Sequence, residues 1–380
     1  MRRLLWLTSI VVLVDTMFYA AITPLLPHYV SEFGISKAAA GVLAASYAAG
    51  TLIGSFPGGW FAARYGPKKA TMTGLVLLSV SGLAFGSGQH IAVLDSARFL
   101  QGVGGAFTWT GALSWLVIAS PGTRGQRIGS AIASAILGVV LGPALGGIAV
   151  VLSPQAVFTG VAVIGAGLCW WASSIPMEPV AREPAPLNLR LVLRPSVLLA
   201  LFLVLVPSQY VGVFDVLVPL RMDELGATGL AIGAAFIVAG IIEAVASHYF
   251  GGFSDRRGRV LPISIGLLVS GVTAVLMPVP DSVVLLLVVL CVTVVGTGAL
   301  WAPATALLSE SAERQGLEQG YAFALVNLAW AGGQIIGSAG GSAAAQLAGD
   351  ALPYVICSVT FLIALLVLRS AAGTRVLSYS

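Results

Sequence analysis

Residues Gly59–Lys69 read GWFAARYGPKK, and 192 residues further on Gly251–Arg259 read GGFSDRRGR. The same offset places Pro27 on Pro219, Glu32 on Glu224, Gly34 on Gly226 and Gly41 on Gly233. Each stretch closes a long apolar run and opens a short basic turn. One module is therefore written twice, in the same orientation.

The composition says where that module lives. Of the 380 residues, 58% are hydrophobic and 9% are charged. A soluble domain carries about 25% charged residues. So few charges cannot cover a water-facing surface, so the chain is expected to be an integral membrane protein. Glycine is abundant, at 46 residues, as expected where helices pack closely in lipid. The net charge of +4 is spread over short turns, which gives no basic patch for nucleic acid. Cys169, Cys291 and Cys357 all fall inside apolar runs and read as small apolar fillers, not as a disulfide or metal framework. A membrane module repeated in parallel is the organisation of a two-bundle secondary transporter.

A span of about 20 apolar residues crosses a bilayer. Twelve such spans are expected, at 4–27, 38–62, 70–88, 91–118, 128–151, 156–175, 196–220, 229–253, 260–278, 282–308, 320–346 and 351–369. The stretch 177–195, rich in proline and charge, reads as a linker, with a short amphipathic helix possible at Leu187–Leu193. It separates an N-terminal six-helix bundle (1–176) from a C-terminal one (196–380). With both termini inside, 16 of the 19 basic residues face the inner side. Only Lys37 and Arg221 face outwards, and Arg98 lies within the fourth span. The start, with Arg2 and Arg3 before an apolar run, superficially resembles a signal peptide, but the run continues to Pro27, lacks a clear cleavage site and contains Asp15.

The local motifs are more specific. Span four carries Arg98, Gln101, Gly102, Gly104 and Gly105 as RFLQGVGG. Span five carries Gly138, Gly142, Pro143, Gly146 and Gly147 as GVVLGPALGG. Glycines every fourth residue flatten a helix face, and Pro143 removes a backbone hydrogen bond. Span eleven echoes the spacing with Gly333, Gly337 and Gly341 but without the proline. Over essentially its whole length the chain resembles the major facilitator superfamily. The turn with Gly59, Arg64 and Gly66, and its copy with Asp255, Arg256, Gly258 and Arg259, are similar to that family's signature turn. Ala63 departs from the pattern by replacing the acid, which implies a first-half latch that is weaker or relies on other groups. The Gly-Pro pattern of span five resembles the antiporter branch. The first span, with Asp15 ahead of Pro24 and Pro27, resembles twelve-span drug:proton antiporters, including the vesicular amine transporter branch, where the acid handles substrate or protons.

Buried charges nominate the site. An ionisable side chain in a membrane costs at least about 2.5–3.5 kcal/mol, so it usually has a partner or a function. Asp15 sits near the middle of span one, Glu243 is central in span eight, Asp215 is in the outer part of span seven, and Arg98 is two turns inside span four. The repeat offset maps Asp15 on Pro207, Asp215 on Thr23 and Glu243 on Thr51, so each acid was placed in one half only. Structural alternatives are an Arg98–Asp95 pair, a water-facing Asp215, a Glu243 satisfied by Ser247 and a neighbouring helix, and a purely structural Asp15. Tyr19, Tyr47, Phe107, Trp109, Tyr210, Trp301 and Trp330 offer either cation–π surface or core packing.

The expected function is proton-coupled export of small amphipathic compounds, cationic or neutral, with Asp15, Glu243 and Arg98 in proton coupling. Asp15, Asp215, Tyr19, Trp109, Trp301 and Trp330 are expected to contact substrate. Rival readings are an exporter of one metabolite, such as a sugar or amino acid, and a non-transporting receptor or assembly factor. His28, His90 and His248 have no metal-ligand spacing, and no phosphate loop or catalytic constellation is present. Hence no cofactor, metal or enzymatic activity is expected. The expected setting is a bacterial inner membrane, the termini are expected in the cytoplasm, and the protein is expected to act as a monomer.

Overall fold

The computed structural model describes residues 2–118, 124–176, 189–317 and 319–373. Most of the expected linker, 177–188, lies outside them. The described residues are helical throughout, with no strand. In chain order the helices are α1 (Arg2–Ala20), a 3-10 turn (Thr23–Leu25), α2 (Leu26–Phe33), α3 (Lys37–Tyr65), α4 (Pro67–Gly86), α5 (Ile91–Ile118), α6 (Arg124–Val151), α7 (Pro154–Ser174) and the short α8 (Leu189–Val192). There follow α9 (Pro195–Glu224), α10 (Gly229–Arg257), α11 (Val260–Leu276), α12 (Val283–Arg314), α13 (Gln319–Ile335), a π-helical segment (Ile336–Gly341), α14 (Ser342–Ala348) and α15 (Ala351–Gly373).

Among the described residues, nine helices are long and apolar enough to cross a membrane. The other three expected spans coincide with α5, with α11, and with α13 together with its π-helical continuation and α14. The first span is not one helix. Pro24 and Pro27 each withhold a backbone N–H, and the chain passes through a 3-10 turn before α2 resumes.

Contacts divide the chain into two units. Unit 1 comprises Met1–Ile35, Leu43–Ala185 and Thr228–Ile237; unit 2 comprises Ser36–Val42, Pro186–Ala227 and Val238–Ser380. In unit 1, α1 packs chiefly on α6, and α4 on α5 and α7. In unit 2, α9 packs on α13, and α11 on α12 and α15. The packing pattern thus repeats with the sequence. The turns repeat too: Gly66 and Gly258 both hold φ near the left-handed region, at 93° and 81°, which a side chain rarely adopts.

The glycine motifs explain the closest approaches. A Cβ on Gly138 would strike the Leu13 carbonyl and the Thr16 hydroxyl, one on Gly142 would lie 2.7 Å from the Met17 carbonyl oxygen, and one on Gly146 would strike the Ala21 carbonyl. The flat face of α6 therefore lets α1 lie directly against it. Thr16 Oγ1 donates across this seam to the Ala135 carbonyl at 3.0 Å. In unit 2 the echo does the same: Gly333 and Gly337 face the backbone of α9 at Leu205 and Gln209. Gly147 and Pro143 of α6 instead meet Gly229 and Gly233, at the start of α10.

Candidate functional site

The α1–α6 seam fixes the position of Asp15, which is fully buried. Its Oδ2 accepts from the Trp109 indole at 3.1 Å and from the Tyr47 hydroxyl at 3.3 Å, while Oδ1 has no partner. Gly105 makes room for this group, because a Cβ there would lie 2.6 Å from the Tyr47 hydroxyl and 3.2 Å from Asp15 Oδ2. Gly102 likewise lets α5 approach α3 at the Tyr47 carbonyl. Three helices, α1, α3 and α5, thus meet around one carboxyl group.

Arg98, 1% exposed, lies beside it. It donates to Gln101 Oε1 at 2.7 Å, to the Tyr19 carbonyl at 3.2 Å and to the Phe18 carbonyl at 3.4 Å. Its guanidinium stands 5.2 Å from the Tyr47 ring centroid and 5.8 Å from that of Tyr19, both within cation–π range. No Arg98–Asp95 ion pair occurs among the described residues, so that structural alternative does not hold. Arg98 Nε and Gln101 Nε2 have no partner. The result is a polar cluster with spare donors and one spare acceptor, enclosed in an apolar bundle.

Unit 2 holds the other two acids. Glu243 Oε1 accepts from the Thr297 hydroxyl at 2.8 Å, with the Trp301 indole also in hydrogen-bonding reach. Asp215 lies close enough to Glu243 for the two charges to interact. Asp215 is half-buried and has no hydrogen bond or ion pair among the described residues. The neighbouring helix α12 thus supplies a partner for Glu243, as the structural alternative expected, through Thr297. Trp330 is half-buried on α13. Tyr210 belongs to the core instead, boxed in by the rings of Phe214, Tyr354 and Phe361, and Phe107 packs on Phe61.

The two signature turns use different chemistry. In the second copy Arg259 bonds Asp255 at 2.7 Å, Glu310 at 2.7 Å and Ser254 at 3.1 Å. Partial burial opposes its charge, but Glu310 and Asp255 outweigh that and raise its pKa above the usual arginine value. The first copy, with Ala63, has no such acid. There Lys68 caps the end of α7, donating to the carbonyls of Ser173 at 2.8 Å and Ile175 at 2.6 Å. Arg64 and Arg256 are exposed. A Cβ on Gly59 would meet open space, so packing does not require glycine there.

Gln101 and Thr297 were not among the expected site residues, and Tyr47 was offered as an aromatic surface rather than as a donor to Asp15. Gln101 sits in the RFLQG motif. The Gly50, Gly54 and Gly58 spacing, which brings the helix of Tyr47 against α5, is a further signal for its position.

The sequence profile of the Major Facilitator Superfamily matches residues 8–220 and 208–376. The chain belongs to that superfamily. This superfamily member is 35% identical over 106 residues to Multidrug resistance protein 2 of Bacillus subtilis, covering 26% of each chain. It is 31% identical over 100 residues to the Quinolone resistance protein NorA of Staphylococcus aureus, again 26% of each. It is 30% identical over 141 residues to the MFS-type transporter ppzB of Metarhizium majus, 35% of this chain and 31% of that one. The matched stretches therefore span between 26% and 31% of these relatives' lengths. Among solved structures, a POT family transporter in complex with 5-aminolevulinic acid superposes with a TM-score of 0.79 at 15% identity, covering 97% of this chain and 96% of that one. A bacterial homologue of the human lysosomal transporter Spinster gives 0.78 at 14% identity, with 97% of each covered. The fold is that of these solved transporters, and with its long apolar helices the chain is an integral membrane protein. Among the described residues no cluster of side chains could hold a metal ion.

Proposed function

We propose that this chain is a proton-coupled antiporter that exports small amphipathic compounds, cationic or neutral. Its twelve spans would form two six-helix bundles, residues 1–176 and 196–380, joined by a cytoplasmic linker at 177–195. Both termini would lie in the cytoplasm beneath a bacterial inner membrane, and the protein would work as a monomer. The observation that carries the reading is Asp15: a fully buried carboxyl held by Trp109 and Tyr47, with one oxygen unpartnered and Arg98 nearby. Such a group can hold either a proton or the charge of a cationic cargo, and exchanging one for the other couples the two flows. Arg98 offsets the carboxylate when neither is present. Tyr19 and Trp109 give the cargo an aromatic wall.

Asp215 and Glu243 supply a second acidic locus, with no basic partner among the described residues, suited to a proton or an organic cation. Glu243 carries the proton in this reading and Asp215, with Trp301 and Trp330, meets the cargo. The drug-resistance names of the bacterial relatives support the substrate class. The test is dye export from proteoliposomes under an imposed pH gradient. Asp15→Asn keeps the shape of the side chain but cannot exchange a proton, so uphill export should stop while the protein still folds. Undiminished concentrative export by that variant would remove Asp15 from the coupling.

A further inference from the structure

Away from Asp215 and Glu243, unit 2 contains a cavity of about 780 Å³. That volume lies within the range of about 300–1,000 Å³ usual for small-molecule sites. Its floor is apolar and buried, made by Leu217, Val218, Met277, Leu286 and Tyr354. Its mouth is charged and partly exposed, made by Lys37, Arg221 and Asp350.

The bonding at the mouth leaves donors free, while both oxygens of Asp350 and both of Glu224 are already engaged by cations. Lys37 Nζ reaches both oxygens of Asp350, at 3.0 and 2.9 Å, and Glu224 Oε1 at 3.2 Å, which commits its three protons. Arg221 reaches Glu224 Oε2 at 3.1 Å and the Pro280 carbonyl at 3.4 Å, so most of its five N–H donors remain open. Glu224 is paired twice. Arg221 can therefore turn its fork to a ligand without leaving that acid unpaired, since Lys37 still holds it. On the same wall Gln346 Oε1 is committed to the Ala38 N–H at 3.0 Å, which leaves its amide N–H groups as further donors. A planar fork with open donors above an apolar well suits a carboxylate, phosphate or sulfonate carrying a hydrocarbon body.

We propose that this cavity binds an amphipathic monoanion, its head on Arg221 and Gln346 and its apolar body against Leu217 and Met277. The site does not depend on the transport reading, and its test reads binding rather than flux. Decanoate is titrated by calorimetry into the full-length protein in phosphatidylcholine nanodiscs. Saturable binding is expected, at least about tenfold weaker in Arg221→Gln and in Ala351→Trp, which fills the cavity from its exposed rim, and unchanged in Arg256→Gln. Arg221→Lys, which can keep the Glu224 pair but loses the fork, should weaken binding about threefold or more. Decanol, with the same tail and no charge, should bind at least about tenfold more weakly than decanoate. Repeating the titration with phosphatidylglycerol in the nanodisc separates the sources: weaker apparent binding identifies a bilayer lipid as the natural occupant, and unchanged binding identifies a soluble anion. No saturable binding, equal affinity in Arg221→Gln and Arg221→Lys to the parent, or equal affinity for decanol would overturn the proposal.

Discussion

Substituting Gly142 by alanine should both loosen unit 1 and disable its carboxyl site. The added Cβ would lie 2.7 Å from the Met17 carbonyl oxygen and 2.5 Å from the Ala20 methyl. Carbon and oxygen normally stop at about 3.3 Å and two carbons at about 3.5 Å, so α1 must retreat by about 0.6 Å for the first contact and about 1 Å for the second, or distort. Overpacking of this kind costs about 1–3 kcal/mol. For a unit of this size that is a fall of about 2–12 °C in melting temperature. Asp15 sits two residues before Met17, so the same retreat lengthens its bonds to Trp109 and Tyr47, and export should fall more than stability does. Gly160 and Gly167 on α7 are the controls. A Cβ at either meets nothing within 4 Å, so alanine there gains helix propensity of up to about 1 kcal/mol at no steric cost. Unfolding can be followed with a thiol-reactive dye, because Cys357 is buried and Cys169 and Cys291 are half-buried. The packing argument fails if Gly142→Ala melts with the parent protein, or if Gly160→Ala is the less stable of the two.

Other expectations follow from single contacts. Trp109→Phe keeps an aromatic ring, smaller than the indole, but removes the donor to Asp15; a hydrogen bond to a charged group contributes about 1.5–3 kcal/mol, so export should fall about 10- to 100-fold and the melting temperature by about 3–12 °C. Thr297→Val removes the 2.8 Å bond to Glu243, and in a double-mutant cycle with Glu243→Gln the two losses of export should be non-additive by at least about 0.5 kcal/mol; strict additivity would separate them. Arg259→Gln should destabilise by only about 0–1 kcal/mol, less in high salt, because the Asp255 and Glu310 side chains are 69% and 38% exposed. Lys68→Met should lower the melting temperature by a few degrees, since it uncaps the end of α7, where a stabilising contact contributes about 0.5–1.5 kcal/mol.

Much of this was legible in the sequence because a membrane leaves few choices. Backbone groups in lipid must be satisfied within a helix, so long apolar runs mark helices almost directly. The expected span 91–118 coincides with α5. The periodic glycines of span five and span eleven identified the faces that meet α1 and α9 before any contact was known. Finer backbone events were not legible. The proline pair after Asp15 was visible, but not that the helix would resume as far as Phe33; the glycine-rich stretch Ile336–Gly341 gave no sign of its π-helical winding. Asp15 and Arg98 stood out because charge is rare in a span. Tyr47 and Trp109 were visible as aromatics for a cargo, but their bonds to Asp15 were not, because they lie 32 and 94 residues from it in the sequence. The replacement of the family acid by Ala63 was plain, whereas the use of Lys68 as a helix cap depends on where α7 ends in space.

The most direct measurement is simultaneous recording of internal pH and dye export in proteoliposomes containing the parent protein or Asp15→Asn. The account predicts proton movement opposite to dye in the parent protein, and neither proton-coupled flux nor uphill export in the variant. Dye export without proton counterflow in the parent, or coupled flux that survives in Asp15→Asn, would contradict it.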